Sequence, residues 1–213
     1  YDSIQGLSSY LRGVVTTSAV LHAAGVGSSS ADALSAAMAW ATRDGIGMIG
    51  GLLFSYAASP FFDAYVKEFR LFADVINDVG LTLDMAAPLF PSAQILLVSC
   101  VATICKVMCG MAAGATKASI TAHFAKRGNM ADLNAKESTQ ESLMTLVGMS
   151  LGILLAKQLR NLGASNNPDA AEERKSDAIT TWAVFLILTI LHVWANYRGV
   201  TLLKLKTLNK KRA

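Results

Sequence analysis

The densest group of polar side chains in this sequence lies between residues 114 and 148, in the stretch GATKASITAHFAKRGNMADLNAKESTQESLMTLVG. Its cationic or titratable members are Lys117, His123, Arg127 and Lys136. Side chains of these types bind carboxylate and phosphate oxygens through charge-assisted hydrogen bonds. The stretch therefore predicts a site for an anionic or phosphorylated small molecule, a docking surface for a partner, or a solvated loop.

Local structure explains part of this stretch. Asn129 after Gly128 is typical of a turn, and Asp132 is placed to cap the helix that follows. Glu137 and Glu141 lie four residues apart, which puts them on one face of that helix. Roles in the turn and in the following helix thus explain some of these polar residues. Asn129 and Glu137 stay among the candidates for ligand or partner contacts.

Residues 61–80 show the clearest amphipathic pattern in the chain. Lys67, Arg70 and Asp74 recur at steps of three and four residues, opposite a face rich in aromatic residues. Gly80 is a natural end for this helix. The polar face is either solvated at the surface or lines an internal polar seam between helices.

A single charge, Lys106, lies near the middle of the apolar run from residue 92 to residue 116. A lysine at the centre of a membrane helix costs about 2.5 to 3.5 kcal/mol on insertion scales. We therefore expect its ammonium group to face a cavity, a partner carboxylate or a bound anion. The alternative is a tilted or partly inserted helix, from which the Lys106 side chain reaches the membrane surface.

The composition favours helices that lie in a membrane. Hydrophobic residues make up 53% of the 213 residues and charged residues 16%, against about 45–50% and about 25% in soluble domains. Gly and Ala are frequent inside the apolar stretches, where small residues let membrane helices approach closely. We therefore expect an all-α membrane protein whose helices pack through Gly and Ala.

Two stretches are long and apolar enough to cross a bilayer, namely residues 92–116 and residues 178–197. A shorter apolar run, residues 142–156, contains Gly148 and Gly152 at the spacing of a close helix contact. We predict about seven helices, of which three or four are inserted in the membrane.

The whole chain, residues 1–213, is expected to form a single domain. Its one flexible loop is expected over residues 157–178, and the basic tail over residues 198–213 marks the cytosolic, stromal or matrix side of the membrane. His192, in the second spanning stretch, is expected to be a neutral side chain bonded to a neighbouring helix.

Several well-known chemical motifs are excluded. The segment GMAAGATKAS lacks the spacing of a phosphate-binding loop. The glycines of RDGIGMIGG match a dinucleotide fingerprint only in spacing, because the surrounding pattern is not that of a βαβ unit.

No His, Cys and carboxylate set has metal-ligand spacing, and Cys100, Cys105 and Cys109 are expected to be small core residues. Basic residues are not interleaved with aromatic ones as in nucleic-acid-binding proteins. We therefore expect neither a metal nor a nucleic acid.

Four long stretches resemble the signature blocks of the root UV-B-sensitive family, in the same order. They are RDGIGMIGG, KEFRLFADVINDVGLTLDMAAPLFP, GATKASITAHFAKRGNMADLNAKESTQESLMTLVGMSLG and HVWANYRGVTLLKLKTLN. The resemblance implies an α-helical, membrane-associated protein that is linked in plants to early UV-B signalling and vitamin B6 homeostasis, with some members placed in plastids. No established catalytic mechanism accompanies this family.

Two functions follow as hypotheses, and the sequence favours the first. The first is a non-enzymatic membrane component, a scaffold or accessory subunit of an organellar complex, which contacts its partners through the helix over residues 61–80 and the loop over residues 125–138. The second is a carrier or binding protein for a small anion, such as a B6 vitamer or an amino acid, held near a central polar cavity. The residues proposed for that cavity are Arg43, Lys106, Lys117 and His123. The wider set of ligand or partner candidates adds Asp44, Lys67, Arg70, Asp74, Arg127, Asn129, Lys136 and Glu137.

The expected partners are the lipid bilayer together with other membrane proteins or a second copy of the chain. No cofactor is expected. A Schiff base between a lysine and pyridoxal phosphate, or the binding of a related vitamer, is suggested only by the family's link to vitamin B6. The resemblance also indicates an organellar membrane, with plastid ahead of mitochondrion.

Overall fold

A computed structural model describes residues 1–23, 33–126, 128–162 and 170–205. This part of the chain contains six α-helices and no strand, which confirms the all-α prediction. The helices are α1 (Asp2–Ala23), α2 (Ala33–Ala58), α3 (Val66–Ala86), α4 (Ser92–Phe124), α5 (Met130–Leu162) and α6 (Ala170–Leu202). The predicted count of about seven is one too high for the described residues, because α2 continues through the glycine-rich segment RDGIGMIGG.

Proline-containing turns separate the middle helices. Short 3-10 turns at Ser59–Phe61 and Ala87–Leu89 follow α2 and α3, and each has a proline at its start. Proline suits these positions because its fixed φ fits the first turn, where its missing N–H needs no partner. The turns reverse the chain between α2, α3 and α4.

Contacts between helices fix their relative directions. Gln5 bonds to Asp74 and Arg12 bonds to Asp78, so α1 and α3 run parallel. Other contacts between side chains show the directions of the remaining helices. Helix α5 runs parallel to α1, and α2 runs parallel to α4. Helix α4 runs antiparallel to α3, and α6 runs antiparallel to α1. As a result α1, α3 and α5 begin at the end of the bundle where α2, α4 and α6 end.

Two apolar clusters hold the helices together. One joins α1, α3 and α6 and consists of Val15, Leu81, Met85 and Phe185. The other joins α2, α3 and α4, where the small residues Ala58, Ala73 and Ala112 are covered by the rings of α2, α3 and the turn between them. Those rings are Phe54, Phe62, Phe69 and Phe72, which contact one another edge to face or stacked.

Glycines allow close contact at two helix pairs. A Cβ added to Gly148 or to Gly152 of α5 would lie 2.9 Å from a side-chain carbon of Tyr10 or of Val14 in α1. The predicted close contact of this glycine pair is therefore confirmed, with α1 as the partner. The α2 residues that approach α4 in the same way are Gly47, Gly50 and Gly51.

Within the described part of the chain, three helical stretches are long and apolar enough to cross a membrane: Ser92–Phe124, Met130–Gln158 and Ala178–Leu202. Only 33%, 11% and 17% of their most apolar windows are buried within the protein. Most of their apolar side chains thus face outward, as they do in helices that contact lipid. The three apolar stretches agree in number with the three or four inserted helices expected from the sequence.

Two local expectations were wrong. Gly80 does not end α3, which continues to Ala86, and it lies instead where α3 contacts the backbone of Ala102. The bounds expected for a loop, residues 157–178, are too wide for the described residues, because α5 reaches Leu162 and α6 begins at Ala170 among residues with good helix propensity. Residues 163–169 lie outside the described part of the chain. The start of the basic tail belongs to α6, and residues 206–213 are also outside the described part.

Candidate functional site

A buried ion pair lies at the centre of the bundle, between α1, α3 and α6. Arg12 is fully buried, and its Nη1 donates a hydrogen bond to Oδ1 of Asp78 at 2.5 Å. The same nitrogen lies 3.3 Å from the hydroxyl of Thr189. Opposite charges inside a membrane protein are stable only when paired in this way.

A second carboxylate and a histidine extend this centre towards the beginning of α1. His192 is fully buried, and its Nε2 lies 3.8 Å from Oδ1 of Asp74 and 3.7 Å from Oδ1 of Asp78. Its Nδ1 lies 3.2 Å from the carbonyl oxygen of Gln5, so the expected bond of His192 to a neighbouring helix is confirmed. The Gln5 side chain in turn donates to Oδ1 of Asp74 at 2.8 Å. We call Arg12, Asp74, Asp78 and His192 the charged centre.

Several polar atoms of the charged centre lack a hydrogen-bond partner within the described protein. They are Nε and Nη2 of Arg12, Oδ2 of Asp74, Oδ2 of Asp78 and Nε2 of His192. A buried polar atom without a partner costs about 1 to 3 kcal/mol, so such atoms are rare unless water or a proton serves them. The charged centre is therefore suited to hold internal water and to exchange protons.

Burial controls the ionisation of the two carboxyl groups on α3. It raises the pKa of Asp74 to about 6, and the nearby charge of Arg70 opposes that rise. Burial also raises the pKa of Asp78, against the opposing charge and hydrogen bond of Arg12. Asp74 therefore titrates close to neutral pH, which is where a proton-exchanging group is useful.

Two cavities open above the charged centre, at the end of the bundle where α1, α3 and α5 begin. Their volumes are about 230 and 410 Å³, and they share Asp2, Gln5 and Arg70 as lining residues. Small-molecule sites commonly have volumes of about 300 to 1,000 Å³. We call the two cavities together the vestibule. Because Gln5 lines both cavities and bonds to Asp74, the vestibule adjoins the charged centre directly.

The vestibule carries charges of both signs. Arg70 faces Asp2 at 3.8 Å, which is an ion contact too long for a hydrogen bond. Lys117 donates to Glu141 at 2.7 Å and lies 3.7 Å from Glu137. Lys117 is thus held by two carboxylates, whereas Arg70 is only loosely engaged by Asp2.

The structure does not bring the four residues proposed for a central cavity together. Lys106 forms an ion pair with the buried carboxylate of Asp84 on α3, one of the three partners expected for it. Lys106 and Lys117 are eleven residues apart on α4, which is about 16 Å along the helix. Arg43 stacks on the ring of Trp40 and contacts the adjacent Asp44 at 3.2 Å. Of the four, only Lys117 lines the vestibule.

The remaining candidates lie near the turn between α4 and α5 or at the start of α3. Asn129 accepts a hydrogen bond from the backbone N–H of Lys126 at 2.8 Å, in a turn where Gly128 has a φ of 76°. Lys136 is exposed and pairs with Asp132 one turn earlier. The ring of His123 contacts that of Phe124 at the end of α4. Lys67 is half-buried in the first turn of α3, and Arg127 lies outside the described residues.

Sequence reasoning missed the middle of the charged centre. Arg12 is the only charged side chain between Asp2 and Asp32, and a single charge in an apolar helix is a signal for a functional site. Asp78 follows Asp74 by four residues and so shares its helical face. Among the described residues, no group of three or more His, Cys, Asp or Glu side chains is arranged to hold a metal ion.

The fold and the site define a helical membrane protein with a buried charged centre and an open polar vestibule. Over residues 1–213 the sequence matches the family described as the Vitamin B6 photo-protection and homoeostasis domain. The chain is 43% identical over 213 residues to Protein root UVB sensitive 3 of Arabidopsis thaliana and 41% identical over 213 residues to RUS family member 1 of Dictyostelium discoideum. It therefore belongs to the root UV-B-sensitive family, and the resemblance noted from the sequence is confirmed.

These relatives are considerably longer than the matched segment. The match covers 100% of this chain but 45% of Protein root UVB sensitive 3 and 38% of RUS family member 1. Protein root UVB sensitive 2, chloroplastic, of Arabidopsis thaliana is 29% identical over 212 residues, which are 100% of this chain and 45% of that protein. The chain thus spans less than half the length of these curated relatives. No solved structure matches it.

Proposed function

We propose that this chain is a non-enzymatic membrane protein that binds and carries a small polar metabolite with an anionic group, such as a B6 vitamer or an amino acid. The observation that carries the proposal is the position of Arg70. It lines both cavities of the vestibule, and its contact with Asp2 is long, at 3.8 Å. An ion pair this long, with one exposed partner in Asp2, contributes about 0 to 1 kcal/mol, so a ligand carboxylate or phosphate displaces Asp2 at little cost.

The geometry of a guanidinium group supports an anionic ligand at Arg70. Arginine can donate two parallel hydrogen bonds to a carboxylate or a phosphate, which fixes the orientation of the ligand as well as holding it. The Arg70 side chain is 23% exposed, so it is anchored on α3 and still reaches the vestibule. A ligand anion bound there lies directly above the charged centre.

The acidic residues of the vestibule narrow the class of ligand. Asp2, Glu137 and Glu141 outnumber the two cations Arg70 and Lys117 among the charged residues that line it. A purely anionic ligand would pair with Arg70 but bind weakly, because these carboxylates repel it, whereas a ligand that also carries an amine or a protonated ring nitrogen would pair with both. B6 vitamer phosphates with a protonated ring nitrogen and amino acids both combine the two charges. The description of the matched family, which names vitamin B6, supports the first of these.

The orientation of the bundle forms part of the proposal. Lys126, Arg198 and Lys204 all lie near the vestibule end of their segments, at the close of α4 or of α6. Because basic residues favour the non-translocated side of a membrane, the vestibule is proposed to open to the stroma, matrix or cytosol. A plastid membrane is favoured over a mitochondrial one, since one relative is named as chloroplastic.

A scaffold or accessory subunit of an organellar complex is the second candidate function. It is favoured by the outward face of α5, whose most apolar window is only 11% buried. Exposed members of that face include Leu146, Ile153 and Leu154. Large exposed apolar faces contact either lipid or other membrane proteins. The two candidates differ in whether the vestibule is occupied by a small molecule.

Ligand binding to purified protein in lipid nanodiscs tests the proposal. The probe is pyridoxine 5′-phosphate, which has no aldehyde and so forms no Schiff base with lysine. We expect saturable binding by the unaltered protein and its loss in Arg70→Met. Lys136→Met is the matched control, because it removes a cation that does not line the vestibule, and it should keep the binding. Equal binding by both variants, or none by the unaltered protein, would rule out Arg70 as the anchor.

Native mass determination after mild-detergent extraction tests the second candidate. A large assembly with defined partners, together with an empty vestibule, supports a scaffold. A chain that migrates alone or as a small homo-oligomer, together with probe binding, supports the carrier.

A further inference from the structure

We propose that binding of the ligand anion at Arg70 is coupled to proton uptake by Asp74, so that metabolite and proton enter the site together. The inference rests on the proposed function, because it takes Arg70 as the anchor of the ligand. It adds the proton as a second substrate, which neither the family description nor the names of the relatives mention.

The two residues are placed for such coupling. Asp74 follows Arg70 by four residues on α3, so the two side chains lie on the same face of the helix, one turn apart. Arg70 lines the vestibule, whereas Asp74 is 5% exposed and lies beneath it. Gln5 bonds to Asp74 and lines both cavities, so it separates the ligand space from the carboxylate by a single side chain.

The charge of Arg70 is the link between the two events. Burial raises the pKa of Asp74, and the positive charge of Arg70 is the largest influence that lowers it. An anion that pairs with Arg70 cancels much of this stabilisation of the Asp74 carboxylate. The carboxylate then binds a proton more strongly, and by linkage a protonated Asp74 strengthens the binding of the anion.

Other charged groups around Asp74 do not change the sign of this coupling. Within the described residues, the titratable or charged groups that act on Asp74 or lie beside Arg70 come from five helices. They are Asp2 on α1, Arg70 and Asp78 on α3, Cys109 and Lys117 on α4, Glu137 and Glu141 on α5, and His192 on α6. Arg12 on α1 pairs with Asp78. The two carboxylates Asp2 and Asp78 raise the pKa of Asp74 further, so they favour proton uptake in the same direction as the bound anion.

The structure also contains a place for the proton. Oδ2 of Asp74 is buried and has no hydrogen-bond partner in the described protein, so protonation there breaks no existing bond. The proton comes from water in the vestibule and converts the carboxylate to a neutral carboxylic acid. Nε2 of His192, also without a partner, lies between Asp74 and Asp78 and continues the polar path deeper into the bundle.

Titration calorimetry in buffers of different protonation enthalpy measures the protons taken up per bound probe. With pyridoxine 5′-phosphate at neutral pH, we expect net uptake by the unaltered protein. In Asp74→Asn the probe should bind at least as tightly, because the competing carboxylate is gone, and proton uptake should fall by up to about one proton per bound molecule. Asp132→Asn, which removes an exposed carboxylate that does not line the vestibule, should behave like the unaltered protein.

A second probe makes the result independent of any variant. Inorganic sulfate keeps a constant charge between about pH 6 and pH 8, so a change in its affinity reports on the protein. We expect its affinity to fall as the pH rises, by up to about tenfold per pH unit. Probe binding with pH-independent sulfate affinity, or with equal proton uptake in Asp74→Asn, overturns the coupling and leaves the binding function standing. Failure of the unaltered protein to bind either probe overturns both proposals.

Discussion

Arg12 on α1 and Asp78 on α3 form an ion pair in the middle of the bundle, with Nη1 and Oδ1 2.5 Å apart and the guanidinium fully excluded from solvent. The two residues are 66 positions apart in the sequence, so the pair exists only when α1 and α3 lie side by side. A buried pair stabilises little relative to apolar residues, but the loss of one member leaves a charge that nothing compensates.

Arg12→Met should therefore destabilise the protein strongly. We expect a loss of about 3 to 5 kcal/mol in the free energy of unfolding, since the carboxylate of Asp78 remains buried without its partner. The measurement is denaturant unfolding in a fixed detergent, followed by tryptophan fluorescence. Lys136→Met, which removes a cation from an exposed pair, serves as control and should change stability by less than about 0.5 kcal/mol.

The double variant Arg12→Met/Asp78→Asn distinguishes a charge effect from a packing effect. Removal of both charges should recover most of the lost stability. If the double variant is as unstable as Arg12→Met, the packing of the long arginine side chain matters more than its charge.

Stability should depend on pH through Asp74. Its pKa is about 6 in the folded protein and 3.8 as an ordinary carboxyl group, so the folded state binds the proton more tightly. The resulting stabilisation is complete below pH 3.8 and is lost as the pH rises through about 6. Asp74→Asn should thus be more stable than the unaltered protein at pH 8, by on the order of 3 kcal/mol, and nearly equal at pH 4.

Parallel unfolding of the two proteins at pH 4, 6 and 8 checks this. Comparison at each pH cancels the effects of all other carboxyl groups. An Asp74→Asn variant that is less stable at pH 8 would show that hydrogen bonds to the carboxylate outweigh its burial.

Lys106→Met should lower stability without affecting ligand binding. The change leaves the buried carboxylate of Asp84 without the lysine that pairs with it, and we expect a loss of about 3 kcal/mol. The affinity for pyridoxine 5′-phosphate should stay unchanged, because Lys106 is about 16 Å from Lys117 along α4. Calorimetry on the folded fraction separates the two effects. A collapse of affinity in Lys106→Met would place Lys106 in the ligand site after all.

Gly→Ala substitutions should affect stability differently at a close helix contact and on an open helix surface. A Cβ on Gly80 would lie 2.8 Å from the carbonyl oxygen of Ala102, a backbone atom that cannot rotate away. Gly80→Ala should therefore cost about 1 to 3 kcal/mol. A Cβ on Gly110 would meet nothing within 4 Å, so Gly110→Ala should be neutral or stabilise by up to about 1 kcal/mol. Thermal unfolding of the two variants gives the comparison, and similar Tm changes would contradict the observed contact.

Much of the fold follows from the sequence alone. The composition and the lengths of the apolar runs predicted an all-α membrane protein, and the spacing of Gly148 and Gly152 predicted a close helix contact. The errors concern helix ends. Glycine is a common helix terminator, but Gly80 is kept inside α3 because the close approach of α4 requires a residue without a side chain.

The candidate site was predicted only in part. Arg70 and Asp74 lie on a polar face that local periodicity reveals, and the alternative of an internal polar seam is the one observed for Asp74. Arg12 and His192 join them from α1 and α6, and a pattern within one helix contains no information about which residue of another helix lies opposite. The opening group of polar residues is only partly local in its contacts. Lys136 pairs with Asp132 and Asn129 closes a turn, whereas Lys117 pairs with Glu141 across α4 and α5 and lines the vestibule.

The assembly of the charged centre from three distant parts of the chain also has an evolutionary consequence. Substitution of Arg12 alone, or of Asp78 alone, gives a strongly destabilised protein. Substitution of both residues does not. Substitutions at positions 12 and 78 are therefore expected to occur together across homologues or not at all. The outward faces of α5 and α6 need only remain apolar, so their residues are free to drift one at a time.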